Sequence, residues 1–156
     1  MTFSLRVNDE VHEVEARTDE SLLQVLRREL GLTTVRETCG IGVCGTCTVL
    51  VDGEPHSSCI VLAPLAEGRE ITTVEALGED HAVRRAFAAA HAYQCGWCTP
   101  AMMLTAARLL DETPDPSEEE IRLALAGNLC RCGSYVKIIE AVQLAAAAAG
   151  GNEQGG

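Results

Sequence analysis

The sequence predicts an α+β protein in two parts, a small mixed domain over residues 1–76 and a helical domain over residues 77–156. Three observations predict it. Before residue 76, short apolar runs that alternate with polar residues bracket one amphipathic helix. From about residue 80 alanine becomes abundant and every long segment has helical period. The eight cysteines divide four and four between these parts, in two different patterns and without an internal repeat.

Residues 2–7 alternate, with Phe3, Leu5 and Val7 on one face. Asn8-Asp9 offers a turn, and 11–16 reads as a partner strand in which Val11 and Val14 are out of phase. A helix follows at 21–30, with Leu22, Val25, Leu26 and Leu30 as its apolar face. Ser21 and Gln24 supply a capping box, and Gly31 a stop. Thr46–Val51 reads as a strand closed by a turn at Asp52-Gly53, and 70–75 as a last strand. In the second part, His81–Ala92 is a short amphipathic candidate. Thr99 as N-cap with Pro100 at the first helical position opens a helix to about Glu112. Pro114 and Pro116 break the chain, and Ser117 with Glu120 forms a capping box for a helix ending near Gly127. Ser134 can cap a last helix from Tyr135 into the alanine run 145–149, and the glycine-rich tail from about 150 is expected to be disordered.

The first thiol set is Cys39-Gly-Ile-Gly-Val-Cys44-Gly-Thr-Cys47, followed eleven residues later by Cys59. The spacing C-x4-C-x2-C…C is the plant-type ligand pattern for a 2Fe–2S cluster. Glycines at 40, 42 and 45 fit a backbone that wraps an inorganic core, because they permit positive φ and close approach of N–H groups to sulfur. A disulfide knot or a zinc knuckle is the plainer alternative.

Bulk properties narrow the setting. The N-terminal stretch MTFSLRVNDEVHEVEA has neither a basic nor an apolar signal region, and no run of about eighteen apolar residues exists. The expectation is a cytoplasmic chain that is not an integral membrane protein, where clustered cysteines hold metal rather than each other. A net charge of −11 argues against nucleic acid as a partner.

The second set is Cys95-Gly-Trp-Cys98 and Cys130-Arg-Cys132, each just before a predicted helix start, where free N–H groups and the helix dipole favour thiolates. Brought together, these four make one tetrathiolate site. A lone C-x-x-C also fits redox chemistry or half a zinc ribbon. A ribbon from 44/47 with 95/98 strands the other four thiols, and no C-x-H pair suggests a Rieske centre.

With CGIGVCGTCTV at 39–49, Cys59, QCGWCTPAM at 94–102 and GNLCRCGSY at 127–135, residues 3–143 resemble the small iron–sulfur subunit of the molybdenum hydroxylases, the xanthine oxidase and carbon monoxide dehydrogenase family. The resemblance implies a β-grasp ferredoxin domain and a four-helix-bundle domain, each holding one 2Fe–2S cluster. It implies a large partner subunit carrying molybdopterin, a medium subunit carrying FAD, and a dimer of heterotrimers. By position, Gln94 matches a glutamine that hydrogen-bonds the pterin, and Cys132 the ligand nearest it. Electrons would enter at Cys95, Cys98, Cys130 and Cys132, and leave through Cys39, Cys44, Cys47 and Cys59 toward flavin. The chain departs from the common pattern at Thr38, Ala101 and Gly133-Ser134.

Plainer readings stand beside these. Trp97 between two thiols reads as a shield against water before an electron relay. Gln94 alone would be structural, Met102 and Met103 core or interface filling, and His91 a solvated helix residue. No nucleophile or general base with a partner is evident, so no turnover by this chain alone is expected. A free-standing two-cluster carrier and a structural zinc module are the competing functions.

Overall fold

The computed structural model describes residues 1–151. The elements are β1 (Thr2–Val7), β2 (Glu10–Glu15), α1 (Leu22–Arg28), β3 (Thr48–Val51), β4 (Glu54–Ser57) and β5 (Glu70–Thr72), then α2 (Ala82–Ala89), α3 (Thr99–Glu112), α4 (Glu118–Ala124) and α5 (Tyr135–Gly150). Strands run β2-β1-β5-β3-β4 across one sheet. β1 and β5 are parallel, and the other neighbours are antiparallel.

Both hairpins turn on two residues with positive φ, Asn8 and Asp9 (51° and 67°) and Asp52 and Gly53 (50° and 84°). That geometry matches the right-handed twist of the strands it joins. It also fixes register, pairing Phe3 with Val14 and Arg6 with Val11. Val14 is therefore buried with Phe3, Leu5 and Val7, while Val11 shares the solvent face with Arg6 and is exposed. The phase conflict between the two valines is resolved by the register.

The α1 capping box forms as the sequence suggests, Ser21 Oγ accepting from Gln24 N and Gln24 Oε1 from Ser21 N. Its buried face is Leu22, Leu23, Val25 and Leu26, and Leu30 lies beyond the helix end. Two strands are shorter than expected. β3 starts at Thr48, because Thr46 belongs to the cysteine loop and Thr48 Oγ1 bonds back to Gly45 O at 2.7 Å. β5 stops at Thr72, because Thr73 N donates to Asn8 Oδ1 at 2.8 Å and Val74–Ala76 forms a 3-10 turn.

Helix starts in the second part differ in one respect. The N-cap of α3 is Cys98, already at φ −81° and ψ −12°, so Thr99 rather than Pro100 is the first helical residue. Ser117 and Glu120 form their reciprocal box at α4. α4 ends at Ala124, ahead of Gly127, where tight turns carry the chain on through Asn128. Ser134 is the N-cap of α5 but makes no side-chain cap bond, and its buried hydroxyl has no partner among the described residues. α2 ends at Ala89, so His91 lies past the helix at φ 49°, exposed. Gly150 closes α5, and the rest of the expected disordered tail falls, after Gly151, outside the described residues.

Apolar side chains collect into two cores. One joins β1–β3 and β5 to α1 around Leu5, Leu22, Leu26 and Ile71. The other joins α2–α5 around Phe87, Met102, Ile121 and Ile138, which makes Met102 a core residue; Met103 packs partly buried against it. Among the described residues no helix is long and apolar enough to cross a membrane.

Candidate metal centre

The first thiol loop is shaped by Gly40, Gly42 and Gly45, all in the left-handed region at φ 67°, 76° and 70°. Left-handed steps turn successive N–H groups inward. Two of them reach Cys39 Sγ, from Cys44 N at 3.4 Å and Ile41 N at 3.5 Å. Hydrogen bonds from the backbone of Cys44, Ile41 and Val43 lower the Cys39 thiol to about 6. Burial and the neighbouring Cys47 thiol instead push Cys59 up to about 11.

The second set repeats this mixture. The Trp97 N–H, 3.4 Å from Cys95 Sγ, lowers that exposed thiol. Burial works against the Cys130 thiolate, but the Ser134 N–H at 3.4 Å helps bring it below the ordinary thiol value. Cys98, at the head of α3, is pushed up to about 12 by burial and then by Cys130.

Within each set the thiols act on one another: Cys44 on Cys39, Cys47 on Cys59, Cys132 on Cys95 and Cys130 on Cys98. Among the described residues no three His, Cys, Asp or Glu side chains converge as they would on a single ion. Pairs are the arrangement a 2Fe–2S core takes, since each of its two irons has two protein ligands. The donor chemistry fits as well. Half-buried Cys59 and buried Cys98 lack enough N–H donors to carry charge alone, and a bound iron deprotonates such a thiol outright.

The two sets face each other. The Leu129 N–H donates to Cys44 O at 2.8 Å, joining the thiol loops main chain to main chain. A cavity of about 330 Å³ lies between them, lined by Cys44 and Thr46 on one side and by Cys95, Trp97, Cys98 and Cys130 on the other. Asn128, 4% exposed, locks the junction: its Nδ2 donates to Gly45 O (2.9 Å) and Thr48 Oγ1 (3.2 Å), and its Oδ1 accepts from Thr105 Oγ1 (3.3 Å). A Cβ on Gly45 would lie 2.1 Å from Gly127 O. Arg36 reaches over from the first part, donating to Gly96 O and Trp97 O and lying 4.8 Å from the Trp97 ring centre. The spacing of the thiols signals none of these junction residues. Only the polar Asn128 just ahead of Cys130-Arg-Cys132 hints at them.

Gln94 is exposed, and its Nε2 donates to Cys132 O at 3.3 Å, so it ties the two thiol loops of the second set.

Residues 5–77 match the 2Fe-2S iron-sulfur cluster binding domain family, and residues 73–143 the [2Fe-2S] binding domain family. The nicotinate dehydrogenase small FeS subunit of Eubacterium barkeri is 45% identical over 148 residues, covering 93% of this chain and 94% of its own. The chain belongs to the small iron–sulfur subunits of the molybdenum hydroxylases. The nicotine 6-hydroxylase small subunit of Paenarthrobacter nicotinovorans is 42% identical over 140 residues, covering 88% of this small subunit and 85% of its own length. Among solved structures, quinoline 2-oxidoreductase from Pseudomonas putida superposes with a TM-score of 0.91 at 41% identity, over 99% of this chain and 97% of that one. The aldehyde oxidoreductase of Desulfovibrio desulfuricans gives 0.91 at 38% identity, where 96% of this small subunit matches 17% of a longer polypeptide.

Proposed function

We propose that this small subunit carries electrons, through one 2Fe–2S cluster on Cys95, Cys98, Cys130 and Cys132 and another on Cys39, Cys44, Cys47 and Cys59, from molybdopterin in a large partner subunit toward FAD in a medium one. Each cluster, when bound, supplies a one-electron carrier with its charge spread over iron and sulfur. The observation that carries the reading is the junction itself. Cys44 of the first set and Cys95, Cys98 and Cys130 of the second line one cavity, and a main-chain hydrogen bond joins the two loops.

The chain's own residues explain the rest of the arrangement. Glycine-directed N–H groups at Cys39, the Trp97 N–H at Cys95 and the Ser134 N–H at Cys130 offset thiolate charge. Cys95 and Gln94 are exposed, so this end of the second set lies within reach of a partner. The amide oxygen of Gln94 accepts no hydrogen bond among the described residues while its nitrogen is held by Cys132 O. In this reading that oxygen faces a donor of the pterin, and Cys132 is the nearest ligand to it. The fold names follow the same reading. Residues 1–76 form a β-grasp domain, supported by the parallel β1/β5 pair and the α1 face packed on the sheet. The described part of residues 77–156 forms a four-helix bundle, supported by the shared core of α2–α5. The assembled enzyme is a cytoplasmic dimer of heterotrimers.

Reduced protein is expected to show two distinct 2Fe–2S EPR signals and four irons with four acid-labile sulfides per chain. Cys44→Ser is expected to abolish or alter one signal and leave the other. One signal, or zinc without inorganic sulfide, overturns the ligand assignment. Purification without large molybdenum and flavin subunits would instead favour a free-standing carrier.

A further inference from the structure

One peptide plane, between Gly96 and Trp97 in the Cys95–Cys98 loop, connects a thiol to the other half of the chain. Its N–H, on Trp97, donates to Cys95 Sγ at 3.4 Å. Its carbonyl, on Gly96, accepts from the Arg36 guanidinium Nη1. The peptide is trans and planar, so its N–H and C=O point opposite ways, and a donor that holds the oxygen aims the hydrogen. The direction of each bond is unambiguous: a guanidinium and an amide N–H only donate, and a carbonyl only accepts.

Arg36 is itself anchored to the first thiol loop. Its N–H donates to Thr46 O at 3.4 Å and its carbonyl accepts from Thr46 Oγ1 at 3.2 Å, which binds its main chain to a residue between Cys44 and Cys47. On the other loop, Nη1 also donates to Trp97 O at 2.9 Å, and the guanidinium lies 4.8 Å from the Trp97 ring centre. The indole Nε1 donates to Thr38 Oγ1 at 2.8 Å, so the ring is held on that side too. The peptide needs such a hold. Gly96 stands at φ +75° with nothing within 4 Å of an added Cβ, and glycine crosses to negative φ at little cost. Released from Arg36, the plane has room to rotate and carry its N–H off the sulfur.

We propose that Arg36 is a positioning residue for the second-set cluster, fixing the Gly96–Trp97 peptide with its N–H on Cys95 Sγ, polarising that donor with its positive charge, and so raising the reduction potential of the cluster. The proposal rests on Cys95 as a ligand of that cluster, as in the function proposed above. One-electron reduction adds negative charge over iron and sulfur, and a donor at a ligating sulfur favours the reduced state. A cation on the carbonyl strengthens the N–H across the same amide, because hydrogen bonds in a chain polarise one another. No proton moves in the step.

The test is an EPR-monitored redox titration of the loaded full-length chain, in the complex in which it purifies, where the second-set signal is the one that Cys44→Ser leaves intact. Arg36→Met keeps an unbranched stem and removes the charge and the donors. The second-set midpoint is expected to fall by about 59 mV, a tenfold change for one electron, and the first-set midpoint by much less. Arg36→Lys keeps a charged donor and is expected to recover most of that fall. An unmoved second-set midpoint in Arg36→Met overturns the proposal, even where the magnetic interaction between the clusters weakens, since Arg36 would then only tie the halves together. A fall in Arg36→Lys as large as that in Arg36→Met overturns it as well. If Arg36→Met fails to load, Arg36→Gln, which keeps an uncharged donor, decides: a lowered second-set midpoint supports the proposal and an unshifted one overturns it. Failure of the ligand assignment appears separately, as a Cys95→Ser variant whose second-set signal is unchanged.

Discussion

Gly45→Ala is expected to force the two halves of the chain apart. Gly45 sits at φ +70°, and an added Cβ would lie 2.1 Å from Gly127 O and 3.0 Å from Gly127 C. Both are backbone atoms, so no side chain can swing away. An alanine in the left-handed region costs about 1–2 kcal/mol by itself. The displaced halves also lose the hydrogen bonds from Asn128 to Gly45 O and from Leu129 N to Cys44 O, each contributing about 1 kcal/mol. The combined loss is about 3–4 kcal/mol of stability at the junction. Thermal unfolding and protease sensitivity between the halves measure it. The magnetic interaction between the two reduced clusters is expected to weaken in the same variant. Gly31→Ala is the control. Gly31 has the same backbone sign at φ +66° but nothing within 4 Å of an added Cβ, so only the conformational cost of about 1–2 kcal/mol is expected. Equal effects at the two positions would rule out the steric account.

Asn128→Asp is expected to cost about 3–5 kcal/mol, although it changes one NH2 group for one oxygen. The side chain is 4% exposed and donates to two acceptors, Gly45 O and Thr48 Oγ1. A carboxylate has no donor, so an anion would face the Gly45 carbonyl in a site without a cation. Burial raises the carboxyl pKa of the folded variant above its unfolded value near 4. The destabilisation is therefore full above the folded pKa and shrinks as pH falls toward the unfolded value, because the protonated acid regains one donor. Denaturant unfolding at pH 8 and pH 5.5 checks this, with the smaller penalty expected at the lower pH. A penalty that does not change with pH would mean that the loss is steric rather than electrostatic.

What the sequence reveals of this molecule is mostly short in range. Asn8-Asp9 and Asp52-Gly53 announce their hairpins because two adjacent residues must take positive φ, and few residue types do so readily. Ser21 with Gln24, and Ser117 with Glu120, announce helix starts because the reciprocal bonds span only three residues. The thiol spacings are legible for the same reason, since Cys39, Cys44 and Cys47, Cys95 and Cys98, and Cys130 and Cys132 each lie within a few residues of one another. The start of α3 is misplaced by one residue because Thr99-Pro100 carries the usual signature, while the bend that aims Cys98 at its partner already gives Cys98 a helical backbone. The junction is not legible. Leu129 N to Cys44 O is a main-chain bond between residues 85 positions apart, and any side chains could flank it. Gly45 looks like one more loop glycine until Gly127 is seen against it. Thr38 and Thr46 read as loop residues until Trp97 arrives from the other half.

The burial of Cys44, Cys47 and Cys98, at 8%, 2% and 9% exposure, has a consequence for manufacture. If these thiols hold the clusters, iron and sulfide are expected to enter before the halves close over Cys44 and Cys98, each loop being loaded first and the parts docking afterwards. Protease protection at the segment between β5 and α2 should therefore appear only after sulfide is incorporated, and protection arising earlier would refute that order.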